Sequence, residues 1–324
     1  MENTKLYPLN FYPLFKSKVW GGSKIQDVLG KQNDLSGRCG ESWEISTVPG
    51  NISRVASGHL KGFPLDLLIR TFKEKLVGNK IYEKHKKNFP LLFKFIDAQE
   101  DLSIQVHPDD ELAMARHNSL GKTEMWYILE AGDKASIING FNTRLDEQSF
   151  SGISSNAMDS IFNRQQVQAG DVVFIPAGTV YAIGAGILLA EIQQSSDVTY
   201  RIHDYNRSDL NGNRRELHLD LAKEAIDYGI DQGHNVFSSI YSAPKLVECD
   251  YFTTNHLTPE HTVLRDYSQI DSFVVYMIID GDAMLKYHGG EVEVHKGDVY
   301  LIPASMEYTI IDPLSRVKLL EVHC

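Results

Sequence analysis

The sequence predicts a mainly β protein of two jelly-roll β-barrels carrying short helical insertions, and three observations support this. The first is an internal repeat: Gly170-Asp171-Val172-Val173-Phe174-Ile175-Pro176-Ala177 recurs as Gly297-Asp298-Val299-Tyr300-Leu301-Ile302-Pro303-Ala304. Each copy leads to a tyrosine at the same offset, Tyr181 and Tyr308. A strand entered by a Gly-Asp turn and closed by Ile-Pro-Ala, met twice, implies two stacked barrels. The second is period-two alternation of apolar and polar residues, clearest in Leu102-Ser103-Ile104-Gln105-Val106-His107. The third is regular turn punctuation between apolar runs, such as Ala131-Gly132-Asp133 and Ala169-Gly170-Asp171.

In chain order, residues 8–56 read as short strands and turns, with Val19-Trp20-Gly21-Gly22 and Gly40-Glu41-Ser42-Trp43-Glu44 among them. Trp43 and Glu44 are expected near a barrel mouth. Over 64–88 the spacing changes: Leu65, Leu67, Leu68, Ile69, Phe72, Leu76, Ile81 and Tyr82 among lysines predict one or two amphipathic helices. The nearly unbroken apolar run 89–98 predicts a buried strand. Strand follows strand from there to Arg201, and a second helical patch covers 214–228. Asp231-Gln232-Gly233-His234-Asn235 is polar and turn-rich. It divides the chain into a catalytic barrel over 1–234 and a degenerate C-terminal barrel over 235–324. The uncharged segment 172–190 approaches the length of a membrane-spanning helix. Pro176, Gly178, Gly184 and Gly186 break it into strands and turns.

At 324 residues the chain exceeds one typical core. A net charge of −11 argues against a nucleic-acid partner, which favours a basic face, but permits a small anionic substrate in a locally basic pocket. Cys39, Cys249 and Cys324 are too scattered for a disulfide framework or a cysteine zinc site. Residues 1–8 hold no apolar signal core, so a cytoplasmic protein without a membrane partner is expected, a monomer or weak homo-oligomer.

The chemistry concentrates in the first barrel. On the strand ending at Pro108, Ser103, Gln105 and His107 share one face, while Leu102, Ile104 and Val106 take the other. In Gly121-Lys122-Thr123-Glu124-Met125-Trp126, the side chains of Lys122, Glu124 and Trp126 alternate likewise. If both strands line one cavity, Gln105, His107 and Glu124 form an N/O/O set suited to zinc or a similar divalent ion; otherwise they are solvated or hydrogen-bonded strand residues. The second repeat lacks these companions, and its His288 and His295 read as turn and surface residues.

At this point the residues resemble the type I mannose-6-phosphate isomerases (phosphomannose isomerases) in their short bacterial form, members of the cupin superfamily. The resemblance rests on Val19-Trp20-Gly21-Gly22, Gly40-Glu41-Ser42-Trp43-Glu44, Gln105-Val106-His107-Pro108-Asp109-Asp110, the 121–126 stretch, Ile175-Pro176-Ala177-Gly178-Thr179, Glu191-Ile192-Gln193-Gln194-Ser195-Ser196-Asp197, Tyr200-Arg201 and Asn211-Gly212-Asn213-Arg214-Arg215-Glu216-Leu217-His218. It implies cupin-type barrels and interconversion of mannose 6-phosphate and fructose 6-phosphate through an enediol(ate). It also implies one zinc ion per chain on Gln105, His107 and Glu124 plus a second histidine. Ser103, Lys122 and Arg201 match the residues that meet phosphate and sugar oxygens, and Glu191 matches a carboxylate considered for proton transfer or for buttressing a ligand. Where the family writes that second histidine this chain has Tyr181, and where it writes a tyrosine this chain has His203. Tyr181 is therefore the expected fourth metal position and His203 a possible substitute. The competing function is a sugar-phosphate-binding cupin without turnover.

Overall fold

The computed structural model describes residues 5–153, 158–210, 212–228, 236–238 and 244–324. The expected division within 231–235 lies outside them. The described residues form a mainly β protein with four large antiparallel sheets. Seven strands, in the order Leu14–Gly22, Cys39–Ile45, Leu91–Ala98, Ile187–Gln194, Glu124–Glu130, Asp171–Ile175 and Val236–Ser238, make the largest. It faces a five-stranded sheet ordered Tyr200–His203, Ile104–Val106, Tyr181–Ile183, Ser136–Phe141 and Phe162–Gln166. A second pair follows. Lys245–Glu248, Thr253–Leu257, Lys318–His323, Val274–Asp280 and Val299–Ile302 form one sheet, and Val263–Asp266, Tyr308–Pro313, Ala283–Tyr287 and Gly290–Val294 the other.

Alternation along each strand decides what each face buries. Trp20, Ile96, Trp126 and Ile183 pack between the first two sheets, and Ile278, Leu285, Ile302 and Ile311 between the second two. The opposite face of the seven-stranded sheet offers Phe93, Phe95, Met125 and Ile192 to Val275, Met277, Leu301 and Leu320 of the C-terminal five-stranded sheet. The two pairs thus pack back to back in one core. Each such fully buried side chain contributes roughly 1.5–3 kcal/mol.

Residues 64–88 form three short helices, Leu65–Phe72, Glu74–Val77 and Asn79–His85, rather than one or two. The backbone turns at Lys73 and Gly78, both at positive φ. A Cβ on Gly78 would lie 2.4 Å from the Asp271 carbonyl oxygen, so only glycine fits there. The Asp271 carboxylate accepts the Asn79 and Lys80 amides at 2.7 and 3.2 Å and caps the last helix from the C-terminal half. The second helical patch narrows to Leu219–Ala225, and Arg215 ahead of it pairs with Asp204.

The repeat is visible in strand register. Glu124 stands opposite Ile175 as Val274 stands opposite Ile302, and the same bulge sets Leu188 against Glu130 and Lys318 against Asp280. The tyrosines break the symmetry: Tyr181 is buried in the first pair, whereas Tyr308 points outward and Thr309 takes the inward place.

Candidate active site

Between the first two sheets lies a cavity of about 310 Å³. One wall is the Ile104–Val106 strand with its flanks: Ser103 and His107 are buried, Gln105 is half-buried, and Ile104 and Val106 enter the core behind. The other wall is the seven-stranded sheet, carrying Glu124 and Glu191. Lys122 precedes its strand but points to the same place.

Five polar side chains converge at the deep end, Gln105, His107, Lys122, Glu124 and Tyr181. His107 donates from Nδ1 to the Val198 carbonyl at 2.8 Å, which leaves Nε2 as an acceptor. That Nε2 lies 2.5 Å from the Tyr181 hydroxyl and 2.7 Å from the Lys122 ammonium. Gln105 Nε2 donates to the same hydroxyl at 3.1 Å. Lys122 also binds the Glu124 carboxylate, whose other oxygen accepts Trp126 Nε1 at 3.1 Å. Burial holds His107 well below its ordinary pKa, helped by the Lys122 charge, so its ring is neutral. Burial and Glu191 push the Glu124 carboxyl upward. Trp126 is fully buried and fills the inter-sheet core beside Tyr181.

Beyond this cluster, Lys94 donates to Glu191 at 2.7 Å and to Gln193 at 2.5 Å. Burial works against its charge, but Glu191 and Glu41 outweigh it and raise its pKa. Glu41 receives Trp43 Nε1 at 2.7 Å and pairs with Lys18 at 2.9 Å. Burial opposes its ionisation, yet Lys18, Lys94 and that hydrogen bond bring it down to about 2. Glu44 points elsewhere, to Lys31 and Ser42.

At the mouth, Arg201 donates from Nε to Ser103 Oγ at 3.4 Å and from a terminal nitrogen to the Glu216 carbonyl at 2.8 Å. Among the described residues it has no carboxylate partner. Arg215 also lines the cavity, and its guanidinium shares buried Asp204 with Arg207. Arg207 and Arg215 thus share one carboxylate, and Arg201 beside them is bound only to a hydroxyl and a carbonyl. Asp197 stands exposed on the same rim.

The structure therefore gathers Ser103, Gln105, His107, Lys122, Glu124, Tyr181, Glu191 and Arg201 around one cavity. It does not bring His203 there. A bulge after Arg201 breaks the alternation, and the His203 ring packs edge-on against Tyr205 at 5.0 Å. Lys94, Glu41, Lys18 and Arg215 escaped the sequence reading. Lys94 left a signal, the one charge in the apolar stretch Leu91-Leu92-Phe93-Lys94-Phe95-Ile96.

This arrangement has counterparts. Residues 9–131 match the model of the phosphomannose isomerase type I catalytic domain, and residues 242–323 that of the mannose-6-phosphate isomerase cupin domain. The putative mannose-6-phosphate isomerase YvyI of Bacillus subtilis is 36% identical over 94% of this chain and 95% of its own. The chain belongs to the type I phosphomannose isomerase family. Mannose-6-phosphate isomerase ManA of the same organism is 36% identical over 91% of this chain and 93% of its own. The crystal structure of the mannose 6-phosphate isomerase from Bacillus subtilis superposes with a TM-score of 0.87 at 32% identity, covering 98% of this chain and all of that one. The mainly β cupin fold and an isomerase activity follow from this membership.

Whether this isomerase chain can hold a metal is a question of its donors. Among the described residues no three His, Cys, Asp or Glu side chains are grouped for a metal, so the set depends on an amide and a phenol. The donor chemistry still fits a small divalent ion. A neutral imidazole presents its free nitrogen, oriented by a backbone carbonyl, beside a buried carboxylate. The Lys122 ammonium, bridging that nitrogen and that carboxylate, shows that the pair already accommodates positive charge. No helix of the described residues is long and apolar enough to cross a membrane.

Proposed function

We propose that the chain is a zinc-dependent isomerase interconverting mannose 6-phosphate and fructose 6-phosphate through an enediol(ate), with its chemistry in residues 1–234 and residues 235–324 as a second, degenerate barrel. The observation that supports this best is the convergence of Gln105, His107, Glu124 and Tyr181 below an arginine-rich mouth. These four would hold the ion, with the Tyr181 oxygen in the place of a histidine nitrogen. A bound zinc ion would supply Lewis acidity at the sugar's O1 and O2.

The remaining steps belong to the chain's own groups. Glu191 is the carboxylate for moving a proton between C1 and C2, and Lys94 holds its position through the 2.7 Å ion pair. Arg201, a fixed cation with a planar fork, orients oxygens and stabilises charge developing on them. Ser103 offers a hydroxyl to the substrate. Phosphate binding is assigned to Arg201 and Arg215 together with Ser103. The Lys122 ammonium, expected from the sequence to bind phosphate, is already committed to Glu124 and His107, and its role lies at the metal end.

The test is a coupled assay of mannose 6-phosphate turnover before and after chelation, with elemental analysis of the purified protein. About one zinc per chain, and turnover lost on chelation and restored by zinc, is expected. Binding of the sugar phosphate without turnover would instead make this a binding protein.

A further inference from the structure

A second cavity, about 660 Å³, lies at the seam between the two sheet pairs. It is built from equivalent corners of the two repeats. Glu130 ends Glu124–Glu130 as Asp280 ends Val274–Asp280, and each of these carboxylates lines the cleft. The cations do not follow this symmetry. By the shared register, Leu188 and Gly186 of the first copy correspond to Lys318 and Arg316 of the second. By the Gly-Asp motif, Ala169 corresponds to Lys296. Three uncharged positions in one repeat are thus three cations in the other, and all three cations line this one cleft.

The carboxylates do not cancel them. Glu130 pairs with Lys24 at 3.3 Å, and Asp280 lies 3.8 Å from Lys296. Among the described residues Arg316 and Lys318 have no carboxylate partner. An unbalanced guanidinium and ammonium in a concave site, on a chain of net charge −11, form a local positive field against the overall charge. A separate observation points to a missing ligand. His256 lines the same cleft, its ring 5.5 Å from that of Tyr127, and its buried Nε2 has no hydrogen-bond partner among the described residues. Buried polar nitrogens are almost always satisfied, so an orphan beside two free cations marks a place for an oxygen-rich group.

We propose that this cleft binds a small phosphorylated molecule, separately from the catalytic cavity. Its volume falls in the range of small-molecule sites. Arg316 would take two phosphoryl oxygens through its fork, Lys318 would supply a point charge, and His256 Nε2 a single hydrogen bond.

Isothermal titration with inorganic pyrophosphate tests this in the Arg201→Ala protein, where the catalytic mouth is weakened. One site is expected, and adding Arg316→Glu and Lys318→Glu should weaken it at least tenfold, since one lost charge-assisted contact is worth roughly ten- to a hundredfold. Inorganic phosphate and mannose 6-phosphate are titrated in parallel. Tighter binding of the sugar phosphate marks an organic ligand, tighter binding of the inorganic ions a free anion, and either supports the site if the double substitution removes it. A fall of less than tenfold overturns the proposal, as does the absence of binding in Arg201→Ala. The Arg316→Glu/Lys318→Glu change in the otherwise native protein should leave isomerase turnover unchanged. Should the glutamates disturb folding, Arg316→Met with Lys318→Met repeats the measurement under the same criteria.

Discussion

Glu191 and Glu321 occupy the same position in the two sheet pairs. Glu191 stands opposite Trp126 and Lys94, Glu321 opposite Tyr276 and Asn255. Both are buried, and their surroundings differ entirely. Glu321 accepts two guanidinium nitrogens of Arg265 at 2.8 and 2.7 Å, the Tyr267 hydroxyl at 2.7 Å and the Asn255 amide at 3.0 Å. The Tyr276 hydroxyl meets that of Tyr267 and lies 2.7 Å from Thr309. Every acceptor site of this carboxylate is used. Glu191 has one lysine and a cavity in front of it. The same strands and the same bulge therefore yield a closed network in one pair and an available carboxylate in the other. Capacity for chemistry here comes from what is left unsatisfied.

The largest expected effect lies at the deep end of the open cavity. His107→Ala and Glu124→Gln should each lower turnover by on the order of a thousandfold, about 4 kcal/mol of barrier. Circular dichroism should stay native, because the core behind this strand is built by Ile104 and Val106. Activity within about tenfold of the native protein, some 1.4 kcal/mol, would sink the metal assignment for that residue.

The closed network should respond in the opposite sense. Arg265→Met leaves Glu321 buried without its main counter-charge, which costs about 3 kcal/mol of stability by analogy with other broken buried pairs. Urea unfolding should show the loss, while kcat per folded molecule stays near native. A substantial fall in kcat with unchanged stability would mean that the second sheet pair takes part in the chemistry.

The third contrast is within the cavity. Arg215→Ala should raise KM for mannose 6-phosphate roughly ten- to a hundredfold, with little change toward unphosphorylated mannose, if it contributes a charge-assisted phosphate contact. Lys122→Ala should instead lower kcat and zinc content, since its ammonium rests on Glu124 and His107. A Lys122→Ala protein that loses only affinity for the phosphorylated sugar would return Lys122 to the phosphate.

The sequence made much of this comparison legible. The repeat, the alternating strands and the polar face of Ser103, Gln105 and His107 depend on local period and turn chemistry, which the chain writes directly. What it hid depends on distance. Lys94 reaches Glu191 and Arg265 reaches Glu321 only through pairing of remote strands. The difference between Tyr181 and Tyr308 is one of strand face, invisible to an offset count. His203 shows the same limit: alternation places it beside Arg201 on the cavity side, and a single bulge removes it.

The smallest effects should fall on Tyr181, which stands where the resemblance implies a histidine. Tyr181 presents its hydroxyl to His107 Nε2 at 2.5 Å and receives Gln105 at 3.1 Å, so the oxygen sits among the donors rather than behind them. Tyr181→Phe removes that oxygen while keeping the ring that packs on Trp126, and the fold should be unaffected. Three donors would remain, enough to retain an ion with water in the fourth place. Zinc affinity, measured by competition with a chromophoric chelator, should therefore fall by only about tenfold, the lower end of what loss of a supporting group costs a metal site. Tyr181→His puts back a neutral nitrogen that needs no proton removed to bind zinc, and should raise affinity instead. His203→Phe is the control. Its ring lies against Tyr205 beyond the bulge, and zinc content and turnover should match the native protein. A loss of zinc in His203→Phe equal to that in Tyr181→Phe would show that the histidine moves into the cavity when metal binds, and that the two departures act as one exchange.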